Sequence, residues 1–229
     1  MSDINQGYTE LYNIKNPKFV YPTEWVVRAF LAHYPRLNLD KTLYKDAKIL
    51  DLGFGDGRNT IFLCQQQFSV FGTEITQQIC NLTNRRLSQL GLSANLRTGR
   101  NNSLPFEDSF FDYILAAHSC YYLDEGDTFQ TNLTELHRVL KPGGIVVASI
   151  PQVTNHYLEN SIDLGHGMRQ ITSDYYGVRQ GGIVMGLKDE TEVRSHLQPF
   201  FTDIRVGNWK NDFWGIKEHV FLTVGVKQP

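Results

Sequence analysis

Cysteine is scarce in this 229-residue chain: Cys64, Cys80 and Cys120 are three in number, widely spaced, and form no C-x-x-C pair. That excludes a disulfide framework and a zinc knuckle and fits reduced thiols in a cytoplasm. No stretch approaches the ~18–20 consecutive apolar residues of a membrane span. The opening Met-Ser-Asp-Ile-Asn-Gln lacks a basic region followed by an apolar run, so neither a targeting segment nor a membrane partner is expected. Charge of one sign is lacking too: 22 Lys plus Arg stand against 24 Asp plus Glu, a formal net charge of -2, with no block of basic residues to follow a phosphate backbone. No nucleic-acid partner is expected. Repeats and low-complexity tracts are absent. What remains, 41% hydrophobic and 20% charged, is the composition of an ordinary globular chain with a real core, read as one domain over 1–229.

What stands out is where the tyrosines lie. Of 11, Tyr8, Tyr12, Tyr21, Tyr34 and Tyr44 precede residue 45, and Tyr157, Tyr175 and Tyr176 cluster later. Between these groups the chain alternates short apolar or β-branched runs with segments of helical period, the pattern of an α/β sheet with crossover helices. Strands are expected at 48–52, 69–73, 95–98, 111–116, 145–150, 202–207 and 219–226. Helices are expected at 57–67, 76–90 and 128–140, where Ile79, Leu82, Leu87 and Leu90, then Phe129, Leu133, Leu136 and Leu140, recur at near-helical spacing. Lys141-Pro142-Gly143-Gly144 stops the third helix, and Asp189 with Glu192 resembles a capping box opening a fourth. Residues 1–46 form an N-terminal cap segment with one helix from Glu24 to about His33. Residues 151–188 are too long for an ordinary connection and read as a lid-like insertion.

The most informative stretch is Asp51-Leu52-Gly53-Phe54-Gly55-Asp56-Gly57. An apolar strand ends in an acid, and three glycines at alternate positions lead into a helix. Glycine permits the tight turn and a close backbone approach, while the helix start offers unpaired N–H groups. A cofactor is expected on this loop. The next strand ends in Glu74, where a carboxylate meets the two hydroxyls of a ribose at the carboxyl edge of the sheet. The spacing departs from the Gly-x-Gly-x-x-Gly of a dinucleotide fold, and Asp51 repels a pyrophosphate but suits an ammonium. A nicotinamide-dependent oxidoreductase is therefore disfavoured.

These residues resemble the class I S-adenosylmethionine-dependent methyltransferases, small-molecule branch. The glycine loop looks like that family's first motif, and Glu74 like its acid after the second strand. Leu104-Pro105-Phe106-Glu107-Asp108-Ser109-Phe110-Phe111-Asp112 is similar to its approach to the fourth strand, and Glu135-Leu136-His137-Arg138-Val139-Leu140-Lys141-Pro142-Gly143-Gly144 to its entry to the fifth. The matches keep the family's order over 47–150. The resemblance implies a Rossmann-like, seven-stranded, mostly parallel sheet with helices on both faces and an antiparallel last strand in a C-terminal hairpin. It implies S-adenosyl-L-methionine as cofactor, with S-adenosyl-L-homocysteine as product. The methionine part would lie on Gly53, Phe54 and Gly55 with Asp51 near its ammonium, Glu74 would take both ribose hydroxyls, and Ile75 would pack on adenine. One departure is Arg100 after Gly99, where many members carry an aspartate for the adenine amine. Arginine cannot accept that hydrogen bond, so Asn101, Asn102 or backbone carbonyls are expected to do so.

Methyl transfer from a sulfonium is an in-line displacement, and positioning supplies much of the rate. A general base is needed only for a hydroxyl or protonated-amine acceptor. His118, after the fourth strand, is the candidate beside the methyl group. Tyr8, Tyr21, Tyr121, Tyr122, His156 and Arg169 are candidates for the acceptor site, with His166 and Arg179 of the same insertion. No residues with metal-ligand spacing are found. The expected activity is methyl transfer to a small molecule; a cofactor-binding regulatory protein without catalysis, or a protein or RNA methyltransferase, are the alternatives. The acceptor and the oligomeric state do not follow from the sequence.

Overall fold

The computed structural model describes residues 2–14 and 19–228; residue 1 and residues 15–18 of the expected cap segment lie outside the described residues. In chain order the elements begin with α1 (Ser2–Ile14), α2 (Glu24–Leu31), β1 (Lys48–Leu52), α3 (Arg58–Gln65), β2 (Ser69–Glu74), α4 (Gln77–Gln89), β3 (Asn95–Thr98) and β4 (Phe111–Ala116). They continue with β5 (Tyr122–Leu123), α5 (Phe129–Val139), β6 (Leu140–Pro151), β7 (Ile162–Gly165), β8 (Met168–Gln170), β9 (Ile183–Met185), α6 (Glu190–Leu197), β10 (Phe201–Phe213) and β11 (Ile216–Lys227). Seven strands form one sheet in the order β10-β11-β6-β4-β1-β2-β3. It is parallel except where β11 runs against β6 and β10. Doubly covered sheets need apolar side chains on both faces, and the period of two delivers them. Leu50, Ile114 and Ala116 face the core under α5 and α6, whereas Ile49, Tyr113 and Leu115 face α2 and α3.

The helices keep close to their expected positions because their caps are local. Thr76 Oγ1 accepts from Ile79 N, and Thr128 with Thr131 forms a reciprocal cap. Asp189 Oδ1 accepts from Glu192 N (2.9 Å), but Glu192 reaches back to Lys188 N (2.8 Å) rather than to the cap residue itself. Four expectations change, the first being that the last two strands, expected at 202–207 and 219–226, extend to Phe213 and back to Ile216 because they pair with each other to the hairpin tip. A helix, α1, precedes the single helix expected in the cap segment. β6 begins at Leu140, five residues early, because Leu140 already pairs with Phe111 before the register shifts. The insertion is not merely a loop: β7, β8 and β9 form a second sheet with β5, in the order β5-β9-β8-β7. Its strands are two to four residues long. Such runs carry no period of their own and become strands only when a neighbour supplies the ladder.

Two of the four motifs hold each other. Arg138 Nη2 donates to Leu104 O (3.0 Å) and its Nη1 to Phe106 O (2.8 Å), while Nε donates to Glu135 Oε1 (2.8 Å). Glu135 Oε2 accepts from Leu104 N (2.8 Å). The clip fixes the loop that enters β4. Arg138→Met is expected to cost about 2–4 kcal/mol in urea unfolding, since it removes several charge-assisted hydrogen bonds at once. A loss below about 0.5 kcal/mol would place the clip among surface pairs of little weight.

Candidate functional site

β1 delivers the chain into the glycine loop, which is tied to β2 by Gly53 N donating to Thr73 O (2.9 Å). Gly53 and Gly55 have φ of +65° and +56°, the left-handed region that disfavours a side chain. There is also no room: a Cβ on Gly53 would meet Ser119 Cβ at 2.6 Å, and one on Gly55 would meet the Tyr12 hydroxyl at 2.5 Å. The loop is thus roofed by α1 and floored by the turn after β4. Glu74 closes the other side, buried, with Oε1 accepting from Gly55 N (3.0 Å) and Oε2 from Ile75 N (2.8 Å). Burial raises its pKa above the ordinary carboxylate range, and the two backbone donors partly counter that.

Two adjoining cavities open at the carboxyl ends of β1, β2 and β4, both lined by Tyr8, Tyr12, Gly53, His118 and Tyr122. Glu74, Ile75, Asn101 and Ser119 line the first. Phe54, Gly55, Tyr121, His156 and Tyr157 line the second, with Phe213 and Trp214 from the tip of the β10–β11 hairpin. Trp214 is 98% exposed, an unusual position for a tryptophan and one that puts its ring at the mouth.

The remaining expected residues are placed as follows. Asp51 lines neither cavity; it lies beneath the loop with Oδ2 accepting from Thr60 Oγ1 (2.7 Å). Burial pushes its pKa up to about 7. Asn101 Nδ2 donates to Ser119 O (2.9 Å) and Tyr122 O (3.1 Å), which commits its amide nitrogen and leaves the amide oxygen as the acceptor of that side chain. Arg100 is occupied by Asp124 (2.9 Å) and Asn102 by Asp127, and Asn102 does not line the cavities. Tyr21 is 77% exposed, and Arg169 pairs with Asp163 on β7 (3.0 Å); neither lines a cavity. Cys120 is buried, which pushes its thiol up to about 12 and leaves it without nucleophilic character at neutral pH.

His118 stands at the join of the cavities with a left-handed backbone, φ +58°, strained for a non-glycine residue. Its N donates to Ser149 Oγ (2.9 Å). Burial lowers its pKa; Glu218 acts in the opposite sense. Trp25 Nε1 donates to Nε2 (3.3 Å), and Glu218 Oε1 lies 3.5 Å from the same nitrogen. The neutral ring therefore spends its Nε2 lone pair on Trp25.

Three further contributors meet at the site, of which Glu218 alone carried no sequence signal as a site residue. Tyr12 covers Gly55. Arg179 donates to the Tyr122 hydroxyl (3.0 Å) and to Asp174 (3.0 Å), lying over the Tyr157 ring. Glu218 comes from β11, far along the chain.

Residues 49–144 match the sequence family described as a methyltransferase domain. With the seven-stranded order and the glycine loop facing Glu74, the chain has the Rossmann-like fold of the class I S-adenosylmethionine-dependent methyltransferases, and the family match lies on its cofactor-binding half. A demethylmenaquinone methyltransferase of Geobacillus stearothermophilus is 30% identical over 136 residues, 58% of this chain and 53% of that protein. The chain spans about half, or less, of the length of the curated relatives it matches. A solved S-adenosylmethionine-dependent methyltransferase of Methanosarcina mazei shares the fold at TM-score 0.66 and 20% identity, covering 91% of this chain and 99% of that one. So does a 1,6-didemethyltoxoflavin-N1-methyltransferase of Burkholderia thailandensis, solved with that substrate and S-adenosylhomocysteine, at TM-score 0.62 and 16% identity, covering 100% of this chain and 88% of that one.

Proposed function

We propose that this protein transfers a methyl group from S-adenosylmethionine to a small-molecule acceptor. The observation that carries the reading is the pair of adjoining cavities that share Gly53, His118 and Tyr122. One has the donors and acceptors of a nucleoside site, and the other is walled by aromatic rings. The residues fit the cofactor: a glycine loop with no space for Cβ atoms, a buried carboxylate opposite it, and a Ser119 Oγ that is buried with no partner among the described residues. Glu74 holds the ribose hydroxyls, Ile75 and Asn101 hold adenine, and Gly53, Phe54 and Gly55 carry the methionine part above Asp51. When bound, the cofactor supplies a methyl group already activated on a sulfonium.

The chain's own contribution is orientation and exclusion of water. Tyr8 and Tyr12 of α1, joined to Tyr122 by the Tyr8–Tyr122 hydroxyl contact (2.7 Å), cover the join of the cavities. The neighbour solved with 1,6-didemethyltoxoflavin and S-adenosylhomocysteine supports a small-molecule acceptor. No helix among the described residues is long and apolar enough to cross a membrane. The three free thiols suit a reducing compartment, which supports a cytoplasmic location.

Saturable binding of S-adenosylhomocysteine by calorimetry, and its release from S-adenosylmethionine with a member of a metabolite panel, test the reading. Binding without release from any acceptor would leave a regulatory cofactor-binding protein. Gly55→Val is expected to abolish measurable binding, because its Cβ collides with Tyr12 in a left-handed backbone.

A further inference from the structure

Two consecutive residues of the aromatic cavity carry unused acceptor atoms. Asn155 is 2% exposed, and its Nδ2 donates to His219 O (3.0 Å). His156 Nδ1 lies 3.2 Å from Lys217 O; a carbonyl only accepts, so Nδ1 carries the hydrogen and Nε2 holds the lone pair. Asn155 Oδ1 and His156 Nε2 are both buried and have no hydrogen-bond partner among the described residues. Each side chain is oriented by a main-chain carbonyl of β11, which turns the free acceptor away from that strand. Buried acceptors left bare are costly and rare, so a pair of them in one cavity marks where a donor-bearing ligand belongs.

The walls specify the body of that ligand. Tyr121 and Tyr122 are stacked at 4.8 Å, and the Tyr157 and Tyr176 rings stand edge-on to the His156 imidazole at 5.1 and 6.2 Å. Arg179 lies 5.1 Å over the Tyr157 ring. Flat aromatic molecules are complementary to such a slot.

We propose that the methyl acceptor is a planar aromatic or heteroaromatic molecule carrying O–H or N–H donors, one held by Asn155 Oδ1 and the reacting one by His156 Nε2, which takes its proton. This rests on the methyltransferase reading. In the step, the acceptor heteroatom forms a bond to the methyl carbon as the sulfur–methyl bond breaks, with that pair remaining on sulfur. The acceptor O–H or N–H bond breaks, and its proton moves to Nε2 and later to solvent. His118 is unsuited to this role while its Nε2 accepts from Trp25. Burial lowers the His156 pKa, so the ring is neutral at pH 7. Arg179 acts in the same direction, while the Lys217 carbonyl, Asp174 and Glu218 oppose it.

The test begins with nitrogen NMR of the full chain, in which His156 is expected as the neutral, Nδ1-protonated tautomer; the opposite tautomer, or a charged ring at pH 7, overturns the proposal. Calorimetry on the protein saturated with S-adenosylhomocysteine then compares naphthol, indole and benzimidazole with methoxynaphthalene, N-methylindole and N-methylbenzimidazole. At least one parent is expected to bind about 10-fold or more tighter than its methylated form. Equal affinities, or no binding of any parent, overturn it. For a parent that turns over, His156→Gln keeps an acceptor oxygen but no base. Its kcat is expected to fall about 100-fold with KM within about threefold, and the acidic limb of the pH profile to disappear. His156→Asn, which retains a donor towards Lys217 O, guards against a folding defect. An unchanged kcat in both variants also overturns the base. Failure of S-adenosylhomocysteine itself to bind would refute the methyltransferase reading instead.

Discussion

Glu74→Ala is expected to weaken S-adenosylhomocysteine binding at least about 100-fold, which is roughly 2.7 kcal/mol. The carboxylate is 8% exposed and sits on the lip of the first cavity with its oxygens already fixed by Gly55 N and Ile75 N. Each charge-assisted hydrogen bond contributes about 1.5–3 kcal/mol, and the proposed contact with both ribose hydroxyls would lose two together. The variant also leaves two loop N–H groups without their acceptor, so the glycine loop loosens and affinity falls further. Glu74→Gln retains one acceptor oxygen and is expected to lose about 10-fold. Calorimetry gives the affinities, and a thermal melt verifies that each variant is folded. Full affinity in both variants would remove Glu74 from the cofactor site.

Asp51→Asn is expected to stabilise the free protein at pH 8 and to lose that advantage by pH 4. The buried carboxyl has a pKa of about 7 against 3.8 for the exposed group, with burial the main cause and Glu74 and Asp56 adding to it. Between those values the folded state holds a proton that the unfolded chain releases. The stability it confers is fully present below pH 3.8 and is lost as pH rises through about 7. The full difference is worth up to about 4 kcal/mol. Asparagine cannot ionise and can still accept from Thr60, so urea midpoints of the two proteins should diverge with rising pH. Parallel curves from pH 4 to pH 8 would refute the shift. The same substitution is expected to weaken S-adenosylmethionine binding most at high pH, where the carboxylate is charged and able to face an ammonium group.

The tyrosine pattern shows how far local signals reach. Eight of the 11 lie outside 47–150, in parts expected above the cofactor. Tyr8, Tyr12, Tyr157 and Tyr176 do line the cavities, but Tyr44 is packed against Phe68 with its hydroxyl on Phe30 O, and Tyr21 faces solvent. Tyr121 and Tyr122, from inside the block, stack on each other in the same cleft. A tyrosine serves equally as core and as cavity wall, and nothing beside it in the chain decides which. The paired motifs at 104–112 and 135–144 were legible as a resemblance, yet what joins them is Arg138 crossing to Leu104 and Phe106.

By itself the sequence determined the parallel sheet, the tight glycine loop and the carboxylate at the end of β2. All three follow from short-range rules: the alternation of strand side chains, the steric freedom of glycine, and the place where a strand stops. Only the tertiary structure decided which histidine is bare and which is occupied. His118 is bound by Trp25 from α2 and approached by Glu218 from β11, whereas His156 gives its Nδ1 to the Lys217 carbonyl and keeps a buried, unpaired Nε2. These partners lie some 60 to 100 residues away in the chain. Hydrogen-bond occupancy is a property of three-dimensional neighbours, and no local pattern of residues encodes it.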